Sequence, residues 1–158
     1  MRFFLLTEKE IHEINAELAH CTIKASASVE ALNIVQRHRG WVPDEAVKEV
    51  AGMLNMTPDE LDAVATFYSF IFRKPVGRHI ILVCDSISCW IMGYNPLISI
   101  LKAKLGVTLG ETTVDKRFTL LPISCLGACD RAPAVMVDDD LYGPVTQESV
   151  DEILGKYE

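Results

Sequence analysis

"FTLLPISCLGACDRAPAVMVDDDLYG" (residues 118–143) sets two apolar runs on either side of a short Gly- and Pro-marked loop that carries Cys125 and Cys129. The segments "RFTLLPIS" (117–124) and "AVMVDD" (134–139) read as β-strands, being short, apolar and bounded by turn residues. Upstream, "RKPVGRHIILVC" (73–84) has Pro75 and Gly77 as punctuation before a β-branched run ending at Cys84, the pattern of a buried strand. After Cys89, Leu97, Leu101 and Leu105 recur at helical spacing. A short strand in "LYGPV" (141–145) and a final helix in "TQESVDEILGKYE" (146–158) complete the order β, α, β, β, β, α. That order predicts a small sheet with helices packed on at least one face.

The first half has a different period. "TEKEIHEINAELAHC" (7–21) spaces Ile11, Ile14 and Leu18 as one helical face, and "SVEALNIVQRH" (28–38) does the same with Val29, Leu32 and Val35 behind Ser28 as N-cap. "PDEAVKEVAGMLN" (43–55) opens with Pro43 and two acids, the chemistry of a first helical turn. In "TPDELDAVATF" (57–67), Thr57 and Glu60 have the spacing of a capping box. The fold class expected is α+β, with residues 1–74 a helical bundle and residues 75–158 a separate sheet-containing domain.

Composition narrows the function. The chain has 158 residues, 15 Lys+Arg against 22 Asp+Glu, and a net charge of −7, which repels phosphate backbones and argues for no nucleic-acid partner. No apolar run reaches the length of a membrane span, and the opening "MRFFLLTEKE" has too short an apolar stretch for a secretory signal. The expected location is cytoplasmic. Stable disulfides are rare there, so the five cysteines point to metal binding or redox chemistry.

Four of the five form two close pairs, Cys84-x4-Cys89 and Cys125-x3-Cys129, each beginning where a strand ends. Two loops at one edge of a sheet can bring four thiolates together, which suits an iron–sulfur cluster or zinc; a thiol–disulfide role is the third reading. Structural zinc sites favour C-x2-C knuckles and thioredoxin-type chemistry uses C-x-x-C, and neither spacing occurs in this chain. The wider loops favour a two-iron cluster with each pair holding one iron. Gly127 is suited to bring backbone N–H groups toward the sulfurs, and Gly93 and Pro133 shape the chain as it leaves each loop.

The motifs "CDSISCWIMGY" and "FTLLPISCLGACDRAPAVMVDDDLYG", with "GWVPDEAV" and "VATFYSFIFRKPVG" upstream, resemble the thioredoxin-like [2Fe-2S] subunits of respiratory complex I, the E subunits of bacterial NADH:quinone oxidoreductases. The resemblance covers nearly the whole chain. It implies a thioredoxin-like [2Fe-2S] ferredoxin domain behind the helical bundle, with Cys84, Cys89, Cys125 and Cys129 as cluster ligands. It also implies an electron-transfer subunit of an oxidoreductase, catalytically incomplete alone. Its partners would be a flavoprotein subunit that takes hydride from NADH onto FMN, and other peripheral-arm subunits of complex I. The complex would hold the chain at the cytoplasmic side of the inner membrane, with no insertion of its own. Trp90 departs from the family pattern, where many relatives carry His. The same resemblance admits the diaphorase subunit of an NAD-linked hydrogenase or formate dehydrogenase. The chain has neither a G-x-G-x-x-G nor a G-x-x-x-x-G-K-[ST] loop for a nucleotide of its own.

Other residues read as structural. Cys21 has no close partner and reads as a small packing residue. His12, His20, His38 and His79 lack ligand spacing. Asp138, Asp139 and Asp140 read as a solvated hairpin turn, and Phe67, Tyr68, Phe70 and Phe72 as core or interdomain packing.

Overall fold

The structure, a computed structural model, describes residues 6–157. Residues 1–5, part of the stretch read for a secretory signal, and residue 158, read as the end of the last helix, lie outside that range. The chain divides into two compact units between Pro75 and Val76.

The first unit is helical: α1 (Glu8–Leu18), a 3-10 turn (Lys24–Ala27), α2 (Ser28–Arg39), α3 (Asp44–Leu54) and α4 (Pro58–Phe67). Thr57 caps α4 as its sequence predicts. Its hydroxyl accepts the Glu60 N–H at 3.2 Å, while the Glu60 carboxylate accepts the Thr57 N–H at 2.8 Å. Thr7 and Glu10 form the same box on α1, and each such cap stabilises its helix by about 1 kcal/mol. The expected Ser28 cap is not formed. The chain already turns through the 3-10 segment, so Ser28 has helical φ and ψ and is buried as the first residue of α2. Pro43 stands one place before the helix it was expected to open, at the N-cap of α3.

Ile14, Leu32, Val35, Leu54 and Leu61 fill the helical core. Ile11, expected on the inner face of α1, is exposed, and Glu10 is fully buried in its stead. The Glu10 carboxylate accepts hydrogen bonds from Arg39 Nε at 2.6 Å and a second Arg39 nitrogen at 2.7 Å. Burial pushes this carboxyl up, but the hydrogen bonds from Arg39 and Thr7 outweigh it and hold the group below the usual glutamate range. After α4 the chain is fastened by side chains. The Gln36 amide donates to the Phe70 carbonyl and accepts the Phe72 N–H, both at 2.7 Å, and Arg73 donates to Asp62, Asp44 and the Val42 carbonyl. Phe67, Tyr68 and Phe70 are exposed, against the expectation of core packing in this unit, because the pinned backbone turns them outward.

The second unit is a five-stranded sheet with helices. Its strands are β1 (His79–Cys84), β2 (Glu111–Thr112), β3 (Phe118–Ile123), β4 (Val135–Val137) and β5 (Asp140–Tyr142), in the order β2-β3-β1-β4-β5. β1 runs parallel to β3, and the other neighbours are antiparallel. Central β1 is buried along its second half, as expected of a strand covered on both faces. The helices are α5 (Ile87–Met92), α6 (Tyr94–Leu105) and α7 (Gln147–Leu154). Ile81, Val83, Leu101, Leu120, Val137 and Val150 belong to the core between sheet and helices.

The acidic turn Asp138–Asp140 is exposed between β4 and β5, as its sequence suggests, and two of its carboxylates are also partnered. The Asp138 carboxylate accepts the Ile80 N–H at 2.8 Å and lies 2.7 Å from His79 Nδ1, while Asp140 accepts the Tyr157 hydroxyl at 2.7 Å. Among the described residues no helix is long and apolar enough to cross a membrane.

Candidate metal centre

Parallel pairing of β1 with β3 sets Cys84 opposite Ile123, so both strands deliver their following loops to the same edge of the sheet. Cys84 is the last residue of β1, and Cys125 lies two positions beyond the end of β3. Cys89 is on α5 rather than in a loop, because that helix starts at Ile87 and is broken from α6 by Gly93 at φ 122°. Cys129 opens a 3-10 turn that runs to Arg131. Thus all four paired cysteines gather at the carboxyl end of the two central parallel strands.

The pairs differ in their surroundings. Cys84 and Cys89 are 3% and 1% exposed, packed with Ala128, Ala132, Ala134 and Leu126, whereas Cys125 and Cys129 are exposed. The Cys84 N–H donates to the Ala134 carbonyl at 3.2 Å, and the Ala134 backbone also lies beside Cys89. Burial pushes the Cys89 thiol up; the Ala134 backbone opposes this, and the neighbouring Cys84 and Cys129 sulfurs push it further up. A thiolate here is therefore disfavoured until a cation compensates it. On the outer side, the Gly127 N–H donates to Cys125 Sγ at 3.3 Å.

Among the described residues, no three His, Cys, Asp or Glu side chains converge on one point as a mononuclear site requires. A two-iron cluster asks for something else, two thiolates on each iron with backbone N–H donors to the sulfurs. Two thiol pairs, with the Gly127 N–H on Cys125 and the Ala134 backbone beside Cys89, match that donor chemistry.

Two features of the site had no reading in the sequence. Gly143, between β5 and α7, passes so close to the Cys129 turn that an added Cβ would lie 2.2 Å from the Arg131 carbonyl oxygen. Beyond it the Val145 N–H donates to the Pro133 carbonyl at 2.9 Å, bracing the loop that follows Cys129. Secondly, α5 exposes Ile87, Trp90, Ile91 and Met92 beside Cys89. An apolar run flanking a cysteine looks like core until the helix is seen to offer its other faces to solvent. Cys21 packs at the edge of the helical core, His38 lies 2.9 Å from Glu13, and none of the four histidines joins the cysteines.

Comparison with known proteins identifies the family. The thioredoxin-like [2Fe-2S] ferredoxin family matches residues 14–158. The E subunit of the NADH-quinone oxidoreductase of Pseudomonas aeruginosa is 49% identical over 154 residues, covering 98% of this chain and 93% of that protein. Its counterpart in Escherichia coli K12 is 47% identical with the same coverage. Among solved structures, an NAD+-reducing [NiFe]-hydrogenase in its air-oxidised state aligns at a TM-score of 0.70 and 25% identity. The alignment covers 82% of this chain and 22% of the hydrogenase chain. The mixed fold, the four cysteines at one sheet edge and the nearly full-length match together make this chain a member of the thioredoxin-like [2Fe-2S] ferredoxin family.

Proposed function

We propose that this chain is the iron–sulfur electron-transfer subunit of an NADH:quinone oxidoreductase, the respiratory complex I of bacteria. The observation that carries the reading is the delivery of two thiol pairs to one sheet edge by adjacent parallel strands. Cys84, Cys89, Cys125 and Cys129 would hold a [2Fe-2S] cluster, which supplies one-electron transfer when bound. Cys84 and Cys89 anchor the inner side in an apolar shell that excludes water. Cys125 and Cys129 leave the outer side open to an approaching redox partner.

That partner would be a flavoprotein subunit carrying FMN and binding NADH, because a one-electron carrier has use beside a two-electron donor. Residues 1–74 form the helical domain and residues 75–158 the cluster domain; a cluster carrier alone needs only the second, so the helical domain is assigned to assembly with the partner subunits. The chain would act at the cytoplasmic side of the inner membrane through the complex. Near half identity across almost the whole length of the oxidoreductase E subunits favours this over the hydrogenase diaphorase reading, which rests on 25% identity.

Anaerobic purification, iron and sulfide assay and electron paramagnetic resonance after reduction test the reading. The expected protein is coloured, holds two irons and two sulfides, and is reduced quickly by NADH only with its flavoprotein present. Rapid NADH oxidation by the isolated chain, or a colourless zinc protein, would refute it.

A further inference from the structure

We propose that Gly127 is a positioning residue for reduction of the cluster, raising its potential through the backbone N–H aimed at Cys125. The inference rests on the cluster reading above and adds a specific role to one residue. The donor is in place, with the Gly127 nitrogen 3.3 Å from Cys125 Sγ. What holds it there is a left-handed backbone, φ +73° at Gly127, which turns the chain back on itself within two residues. A Cβ built at this position would meet nothing within 4 Å. Space for a side chain is therefore present, and the requirement for glycine lies in φ alone.

A donor to sulfur favours whichever state carries more negative charge. Four thiolates and two sulfides already make the oxidised cluster anionic, and one electron from the partner adds a further negative charge. The Gly127 N–H thus stabilises the reduced state more than the oxidised one. Its position matters because Cys125 has no apolar shell like that of Cys84 and Cys89, so the fixed dipole acts where solvent otherwise sets the local field.

The test compares Gly127→Ala with Gly127→Asn in the full chain, reading the midpoint potential by spectroelectrochemistry and the reduced signal by magnetic resonance. Asn tolerates positive φ and keeps the N–H aimed at the sulfur, whereas Ala resists it. Gly127→Ala is expected to weaken reduction about tenfold, a shift of about 59 mV to more negative potential for a one-electron couple. Gly127→Asn is expected to stay near the parent value. Equal shifts in both variants, or an unshifted Gly127→Ala protein with full iron, would overturn the proposal. Should Gly127→Ala fail to hold iron, nitrogen-15 glycine in the unaltered protein decides. A nitrogen coupling to the reduced cluster that disappears in Gly127→Asn supports the contact, and its absence refutes it. A parent protein without iron and sulfide would instead sink the cluster reading from which the proposal starts.

Discussion

Arg39→Met is expected to turn a buried charge against its own fold. Glu10 is the one charged side chain that is fully buried among the described residues. Its carboxylate accepts two hydrogen bonds from Arg39 and one from the Thr7 N–H at 2.6 Å. Removing one partner of a buried ion pair costs about 3–5 kcal/mol, since the other charge is left without compensation. The Thr7 N–H survives the change and the Arg39 side chain is 18% exposed, so the lower figure applies, about 3 kcal/mol. Against a typical domain stability of about 5–15 kcal/mol, that is a large fraction. Arg39 also faces the charge of Glu49, so a Glu49→Gln control separates that contribution.

The loss carries a pH signature. The folded-state pKa of Glu10 is lowered, so the stability contributed by the pair is complete above the ordinary glutamate value near 4.5 and is lost as pH falls through the folded value. Without Arg39, burial and the Thr7 hydrogen bonds remain but the lowering by Arg39 is gone, so the carboxyl moves up from its value in the parent fold. The variant should therefore be most destabilised near neutral pH and recover relative to the parent on acidification. Urea unfolding followed by far-ultraviolet circular dichroism, near pH 7 and near pH 4, measures both effects. Glu10→Met with Arg39→Met should recover much of the loss, because neither charge is then stranded. A single variant within about 1 kcal/mol of the parent at neutral pH, or a double variant worse than the single, would refute the reasoning.

Two further outcomes are expected. Ala at Cys84, Cys89, Cys125 or Cys129 should abolish or severely deplete bound iron and visible absorbance, while Cys21→Ala, packed in the helical unit, should keep both. Gly143→Ala should displace the Cys129 turn through its clash with the Arg131 carbonyl, costing about 1–3 kcal/mol and lowering iron content; Gly52→Ala, where a Cβ meets nothing within 4 Å, should leave iron content unchanged.

The parts of this fold visible in the sequence are those written in local spacing. Thr57 and Glu60 announce their helix because a capping box lies within four residues, and the run ending at Cys84 announces a strand by its β-branched character. Cysteine pairs are legible for the same reason, and they identify the site before its geometry is known. What escaped depends on neighbours distant in sequence. On the helix whose inner face was read from Ile11, Ile14 and Leu18, the burial of Glu10 is set by Arg39, twenty-nine positions away. The β2 strand is two residues long, too short for an alternating pattern, and exists through its pairing with Leu120 and Thr119. Phe67, Tyr68 and Phe70 report their apolarity but not which way the Gln36 and Arg73 clamps will turn them.

The unequal burial of the two thiol pairs leads to a test that needs no partner protein. In protein stripped of iron, the four sulfurs should not react alike with a neutral alkylating reagent. Cys125 and Cys129 are exposed, whereas Cys84 and Cys89 lie in an alanine- and leucine-lined pocket. Access alone favours the outer pair. Chemistry adds to it at Cys89, where burial raises the thiol and the thiolate, the reacting species, is scarcer at any given pH. Iodoacetamide treatment with timed quenching and peptide mass spectrometry should find Cys125 and Cys129 modified first and Cys89 last, with the Cys89 rate still rising as pH passes the ordinary thiol value of 9.0. Restoring iron and sulfide should protect all four. If Cys89 reacts as fast as Cys125 in a folded iron-free chain, its pocket is open, and the division into an anchoring inner pair and an accessible outer pair fails.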